Sequence, residues 1–351
     1  MLSKTMYTRE YIQELYEKTG NDPALLERVI FAFGLLEAIR QVDLPFCFKG
    51  GTSLMLLLDR SMRLSTDIDI IVEPGTDIDK YIRGAGEIFP FIDVEEQVRL
   101  GKNNIEKRHF RFKYHSPYSN RDVTILLDVL FENIHYISTV ERPIKNDLLL
   151  TEGDDLYVTM PNVNGILGDK LTAFAPHTTG IPFGVTKELE IIKQLFDCGS
   201  LFDVMDNYAE VCASYDRIVR SEMSYRGLSL SPEEVLKDTI KGSLCIASRG
   251  QVNKEDYTYY KDGISRIRNH ILGGKFSGDI AGAYASRVLY LTSSMYVGRD
   301  SATRINDASA YSNQRIDLPK PKSFSYLRIV DPIAYGYAVE AGKLLKGADL
   351  S

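Results

Sequence analysis

Residues 49–72, KGGTSLMLLLDRSMRLSTDIDIIV, decide how this chain folds. A glycine pair follows the apolar run Phe46-Cys47-Phe48. Mostly apolar residues come next, and a polar loop then leads into Asp67-Ile68-Asp69-Ile70-Ile71-Val72. The pattern predicts a strand at 46–48, a tight turn, a buried helix over 52–59 capped by Thr52, a loop, and a strand over 67–73. Glycine accepts positive φ and lets backbone come close to a ligand. A helix N-terminus adds unpaired N–H groups and a dipole that favours phosphate. Lys49, Gly50, Gly51, Thr52 and Ser53 are therefore candidate nucleotide-binding residues, with Arg63 in the loop as a further counter-charge. The turn is not a Walker A loop, because no GxxxxGK[ST] is present.

Alternate residues of a strand share a face, so Asp67 and Asp69 point one way and Ile68, Ile70 and Val72 the other. Carboxylates that close repel, and a divalent cation relieves the repulsion. Magnesium, or manganese in its place, is satisfied by a few carboxylates completed by substrate phosphates. A third carboxylate is expected from Asp128 in TILLDVLF. An aspartate among so many apolar residues is costly unless paired or metal-bound. For the three to share an ion, the two aspartate-bearing strands must be neighbours.

Around this unit the chain reads as mixed α and β up to about residue 160. Helices are expected at 8–18, at 23–42 behind the Asp22 cap and Pro23, and near 77–88. Strands are expected at 91–98, 107–115, 122–132 and 156–160. Beyond Pro161 the texture turns helical, with helices at 162–174, 186–197, from about 201, 231–248, 255–270, 277–297 and 331–346. A polar loop fills 300–328. The expected class is α+β: a core over 1–160 built on a mixed sheet with flanking helices, then a predominantly helical domain over 161–351.

The net charge of −6 argues against a general coat of nucleic acid. Residues 97–115 nevertheless gather Arg99, Lys102, Lys107, Arg108, Arg111 and Lys113 against Glu106 alone, with Phe110, Phe112 and Tyr114 interleaved. Phosphate contact and base stacking by such a stretch would suit single-stranded RNA. A charge-protected edge strand explains the same composition. Four scattered cysteines without CxxC spacing suit a reduced, cytoplasmic protein. The charged N-terminus does not read as a signal peptide, and no apolar run is long enough to span a membrane. The five histidines show no ligand spacing and read as structural or surface residues.

Lys49-Gly50-Gly51-Thr52 followed by Asp67-Ile68-Asp69 resembles the polymerase-beta type of nucleotidyltransferase. More closely, the chain resembles the AbiEii/AbiGii toxin family of type IV toxin–antitoxin and phage-exclusion systems, related to the MenT toxins. The likeness rests on those residues, on Arg63-Leu-Ser65-Thr-Asp67, on Leu127-Asp128-Val129, on Gly168-Asp169-Lys170-Leu171-Thr172-Ala173-Phe174, and on Lys193-Gln-Leu-Phe-Asp197. It covers about residues 30–205. It implies metal binding by Asp67 and Asp69, a phosphate role for Lys170, early in its helix, and a catalytic or structural role for Asp197, at the close of its own. It implies an NTP donor, a tRNA 3′ end or other RNA as acceptor, and a cognate antitoxin encoded nearby. The helical domain would then close the active-site cleft. Where the family often has arginine, this chain has Lys193, which keeps the charge without the guanidinium fork. Two rivals keep the same core: transfer to a protein or a small molecule such as an antibiotic, and a nucleotide- or antitoxin-binding module that has lost catalysis.

Overall fold

The longest apolar helix of the first half sets its core. In this computed structural model, which describes residues 1–97 and 106–350, helix α1 (Arg9–Thr19) leads to α2 (Pro23–Gln41). Asp22 Oδ1 accepts from Leu25 N at 3.0 Å, and Pro23 fills the first turn, so this helix start follows the cap rules. From Leu26 to Ile39 every residue of α2 except Arg28 is buried or nearly so, as expected of a helix that is apolar around most of its surface.

The sheet comprises β1 (Cys47–Lys49), β2 (Ile68–Val72), β3 (Phe91–Glu96), β4 (Lys107–His115) and β5 (Asp122–Phe131), in the order β1-β2-β5-β4-β3. Between β1 and β2 lies helix α3 (Gly50–Leu57), and between β2 and β3 lies α4 (Asp79–Gly86). β2 and β5 run parallel; the other pairs are antiparallel. Ile68, Ile70, Ile125, Leu127 and Val129 form the buried face of the two central strands. Tyr114 of β4 stacks on Phe31 of α2 with ring centroids 3.7 Å apart. Its hydroxyl donates to Glu27, which also accepts from Ser116 Oγ and Tyr118 N. That buried carboxylate ties α2 to the β4–β5 turn and had no signature in the chain. A two-stranded ribbon, β6 (Thr139–Pro143) and β7 (Tyr157–Pro161), completes this half. β6 escaped the reading because Glu141 and Arg142 leave it no apolar alternation.

The remaining elements are helical: α5 (Val163–Ala173), α6 (Glu188–Phe202), α7 (Tyr208–Arg226), α8 (Pro232–Ala247), α9 (Lys254–Ile267), α10 (Gly278–Tyr296), the short α11 (Leu327–Val330) and α12 (Pro332–Leu344). The class is thus α+β, a mixed five-stranded sheet with helices followed by a mostly helical region. By compactness the chain divides into Met1–Asn162 with Asn269–Gly274, and Val163–Arg268 with Lys275–Ser351. The short excursion 269–274 is stitched to the loop ahead of β2: Leu64 N donates to His270 O at 2.7 Å and Leu272 N to Met62 O at 3.0 Å.

One helix boundary differs from expectation. Asp197 does not close a helix; α6 runs on through Cys198-Gly199-Ser200 to Phe202. Gly199 is there for packing, since a Cβ on it would come within 2.4 Å of the Tyr284 ring. This glycine is a seat for an aromatic ring. Among the described residues no helix is long and apolar enough to cross a membrane.

Candidate active site

Strand register brings the candidate carboxylates together. Lys49 of β1 lies opposite Asp69 of β2, Asp69 lies opposite Asp128 of β5, and Asp128 lies opposite His109 of β4. Residues directly opposite point to the same face. One transverse row, Lys49–Asp69–Asp128–His109, therefore crosses four strands on the face away from Ile70 and Leu127. Neighbouring strands are about 4.8 Å apart, so the two carboxylates start from backbone positions about that far apart. Asp67 precedes β2 and is exposed; Asp69 and Asp128 are half-buried. Asp128 was expected to be deeply buried, but its side chain is 35% exposed, and its partner is His109, with Nδ1 2.6 Å from Oδ1.

The glycine turn is fitted to this row. Gly50 has φ +82°, and a Cβ on it would lie 2.1 Å from Asp69 Oδ2. Only a residue without a side chain lets the turn sit against the carboxylate. Gly50→Ala must displace Asp69 and hold a strained φ. We expect it to cost about 1–3 kcal/mol of stability and to depress nucleotidyl transfer further than that loss explains, read by urea unfolding beside a labelled-NTP assay. Gly51 faces Arg63 and Ser65, whose Nη2 and Oγ lie 2.6 and 2.9 Å from where its Cβ would be.

The hydroxyls of the turn are used within the fold. Thr52 Oγ1 donates to Asp67 O at 2.6 Å, and Ser53 Oγ to Gly50 O at 2.8 Å. Thr52 does not cap α3; the cap position is Lys49, and no side chain bonds there. Thr52 instead clamps the start of β2 to the first turn of α3. Arg63, read as a loop counter-charge for phosphate, is 5% exposed, and its Nη1 donates to Leu64 O. It supports the turn from within. Lys49 reaches over the Tyr136 ring with Nζ 5.8 Å from the centroid. Burial pushes the Cys47 thiol up to about 11, so it is no nucleophile at neutral pH.

In the helical unit, Lys170 and Asp197 meet as a buried ion pair, Nζ to Oδ2 3.0 Å. Lys170 lies in the last turn of α5 rather than early in the helix, where its charge suits the dipole. It is only 7% exposed, so it is not a solvated surface lysine. Lys193 pairs with Glu190 at 2.9 Å.

The basic stretch changes meaning in the structure. Arg99 and Lys102 lie outside the described residues. Phe110, Phe112 and Tyr114 face the core at 3%, 0% and 0% exposure, so they offer no stacking surface for bases. Nor is β4 an edge strand; β3 covers it. Arg108 makes a two-pronged bond to Glu96 and a third to Asp79, and its hydrogen bonds hold the Glu96 carboxyl below its usual value. Lys113 meets Asp93 at 3.3 Å, and Arg111 lies opposite Glu95. Acids of β3 thus face several of the cations counted as free. Lys107 and Arg111 remain exposed.

Among the described residues, no three His, Cys, Asp or Glu side chains are grouped so that they alone could hold a metal ion. The two acids of the row, Asp69 and Asp128, nonetheless offer carboxylate oxygen, the chemistry magnesium prefers, and Asp69 is seated where the glycine turn would present a phosphate. The arrangement fits an ion held by a few carboxylates and completed by the substrate's own oxygens.

No curated protein matches the chain. Among solved structures, it is similar to JHP933 from Helicobacter pylori, with 14% identity, TM-score 0.43, and 76% of this chain and 90% of that one covered. It is also similar to an H. pylori protein described as a candidate nucleotidyltransferase, with 12% identity, TM-score 0.44, and 77% and 95% covered. Likeness at that level carries no weight by itself. The family model described as "Nucleotidyl transferase AbiEii toxin, Type IV TA system" matches residues 35–264, well over half of the chain and the whole of the glycine turn, the aspartate row and the Lys170–Asp197 pair. The chain therefore belongs to the AbiEii family of nucleotidyltransferase toxins of type IV toxin–antitoxin systems.

Proposed function

We propose that this enzyme transfers the nucleotidyl group of an NTP to the 3′ end of an RNA, tRNA above all, with magnesium at Asp67, Asp69 and Asp128. The observation that carries the chemistry is the transverse row Lys49–Asp69–Asp128–His109 set against the Gly50 turn. The RNA acceptor rests on the family resemblance, as does a role in phage defence under the control of a cognate antitoxin.

In this mechanism residues 50–53 meet the triphosphate with backbone N–H groups of the first turn of α3, since the Thr52 and Ser53 hydroxyl protons are engaged elsewhere. A phosphate role for Lys170, which is paired with Asp197, rests on the family resemblance. The acceptor hydroxyl gives up its proton to solvent as its oxygen bonds the α-phosphorus, the bond to the bridging α–β oxygen breaks, and pyrophosphate leaves. Bound magnesium would neutralise charge on the phosphates and the attacking oxygen. The protein's own share is positioning and fixed electrostatics.

The test is incubation of the full chain with magnesium, total RNA and each α-labelled NTP in turn. Label in an RNA band of tRNA size is the expected result. Label in protein instead would move the acceptor to the polypeptide class, and no label in any fraction would sink the transferase assignment for this chain.

A further inference from the structure

We propose that His109 is the positioning residue for Asp128, holding that carboxylate in one orientation for the metal. This rests on the reading that Asp128 shares an ion with Asp69. An ionised carboxylate only accepts hydrogen bonds, so the imidazole places its proton on Nδ1 and donates to Oδ1. The separation of 2.6 Å is that of a strong, charge-assisted bond. With Oδ1 committed to the ring, Oδ2 is the oxygen that Asp128 offers to an ion.

The location supports more than a chance surface contact. His109 has a 15% exposed side chain, and its neighbour Phe110 is anchored in the core, so β4 fixes where the ring stands. Like charges directly opposite on a sheet are destabilising. The row places Asp69 and Asp128 in just that relation and flanks the pair with Lys49 on one side and His109 on the other. The flanking groups let two carboxylates stand together before substrate arrives. Without His109, Asp128 would have more rotamers to lose when an ion binds. Partners that orient a metal ligand typically matter about 10–100-fold.

The experiment uses the full chain with Mn2+ and a mixture of the four α,β-methylene nucleoside triphosphates, which bind but do not transfer. Bound Mn2+ is read by electron paramagnetic resonance, and circular dichroism follows the fold. His109→Phe keeps a ring on β4 without the donor, and His109→Ala is a second route to the same loss. Both are expected to weaken Mn2+ binding about tenfold, and His109→Asn, which restores an N–H near the place of Nδ1, to return it to within about threefold of the parent. Asp128→Asn combined with His109→Phe should be no weaker than Asp128→Asn alone, because the histidine acts only through the aspartate.

Mn2+ binding at the parent level in both donor-less variants, with Asp69→Asn losing it, would overturn the positioning role while leaving the transferase reading in place. Absence of both Mn2+ uptake and NTP transfer in the parent protein would overturn the two together.

Discussion

Asp69→Asn is expected to lower nucleotidyl transfer on the order of a thousandfold while changing unfolding free energy by no more than about 1 kcal/mol. The first number follows from what the charge does. A metal-held phosphoryl site contributes several kcal/mol of charge stabilisation in the transition state, and each ~1.4 kcal/mol is a factor of ten in rate. The amide keeps the shape of the carboxylate but not its charge. The second number follows from the row. Asp69 faces Lys49 on one side, which attracts it, and Asp128 on the other, which repels it. Replacing it removes one interaction of each sign on a half-exposed face, so the two losses largely cancel. Asp67→Asn, exposed ahead of β2, should follow the same pattern. The measurements are labelled-NTP turnover with magnesium and a urea titration of each variant. Full transfer by either variant would remove that aspartate from the proposed metal site.

The contrast between a large kinetic effect and a small thermodynamic one marks what was legible beforehand. Asp67 and Asp69 could be read because β2 is short, apolar on one face and preceded by a glycine turn, all local signals. The neighbourhood of Asp69 and Asp128 was required by chemistry, and the parallel register supplies it. His109 could not be singled out. Its role depends on which residue of β4 falls opposite Asp128, a register set by a turn and a core several residues away. Phe110, Phe112 and Tyr114 were legible and misread. Their period of two is the mark of a buried strand face, and it outweighs the basic residues between them. Thr52 was misplaced for a different reason. A cap and a clamp use the same hydroxyl, and only the position of Asp67 O decides between them. Asp197 was put at a helix end, but α6 runs on past it, and the Tyr284 ring that leaves no room for a side chain at Gly199 lies far away in sequence.

The Lys170–Asp197 pair supplies the other large effect. Asp197→Ala is expected to destabilise the protein by about 3–5 kcal/mol, because it strands a buried ammonium without its counter-charge. Against a typical total of about 5–15 kcal/mol this is severe, and the variant should show a clearly lowered urea midpoint. Lys170→Ala should also destabilise, by removing the paired cation from a carboxylate whose side chain is 1% exposed. Loss of activity in either single variant would therefore say little about catalysis. The double variant Lys170→Met/Asp197→Leu separates the two roles. Replacing both charges by apolar side chains removes the desolvation penalty along with the attraction, and such exchanges are often neutral or stabilising. Stability should thus return to within about 1–2 kcal/mol of the parent. A pair kept only for packing would leave this folded double variant able to transfer nucleotide. A lysine that meets the triphosphate would leave it folded and inactive, with transfer down at least a hundredfold by an order-of-magnitude estimate for lost charge stabilisation. The second outcome is the expected one. A lysine carried through folding with so little exposure has a cost that apolar side chains would avoid, and the proposed phosphate role would account for it.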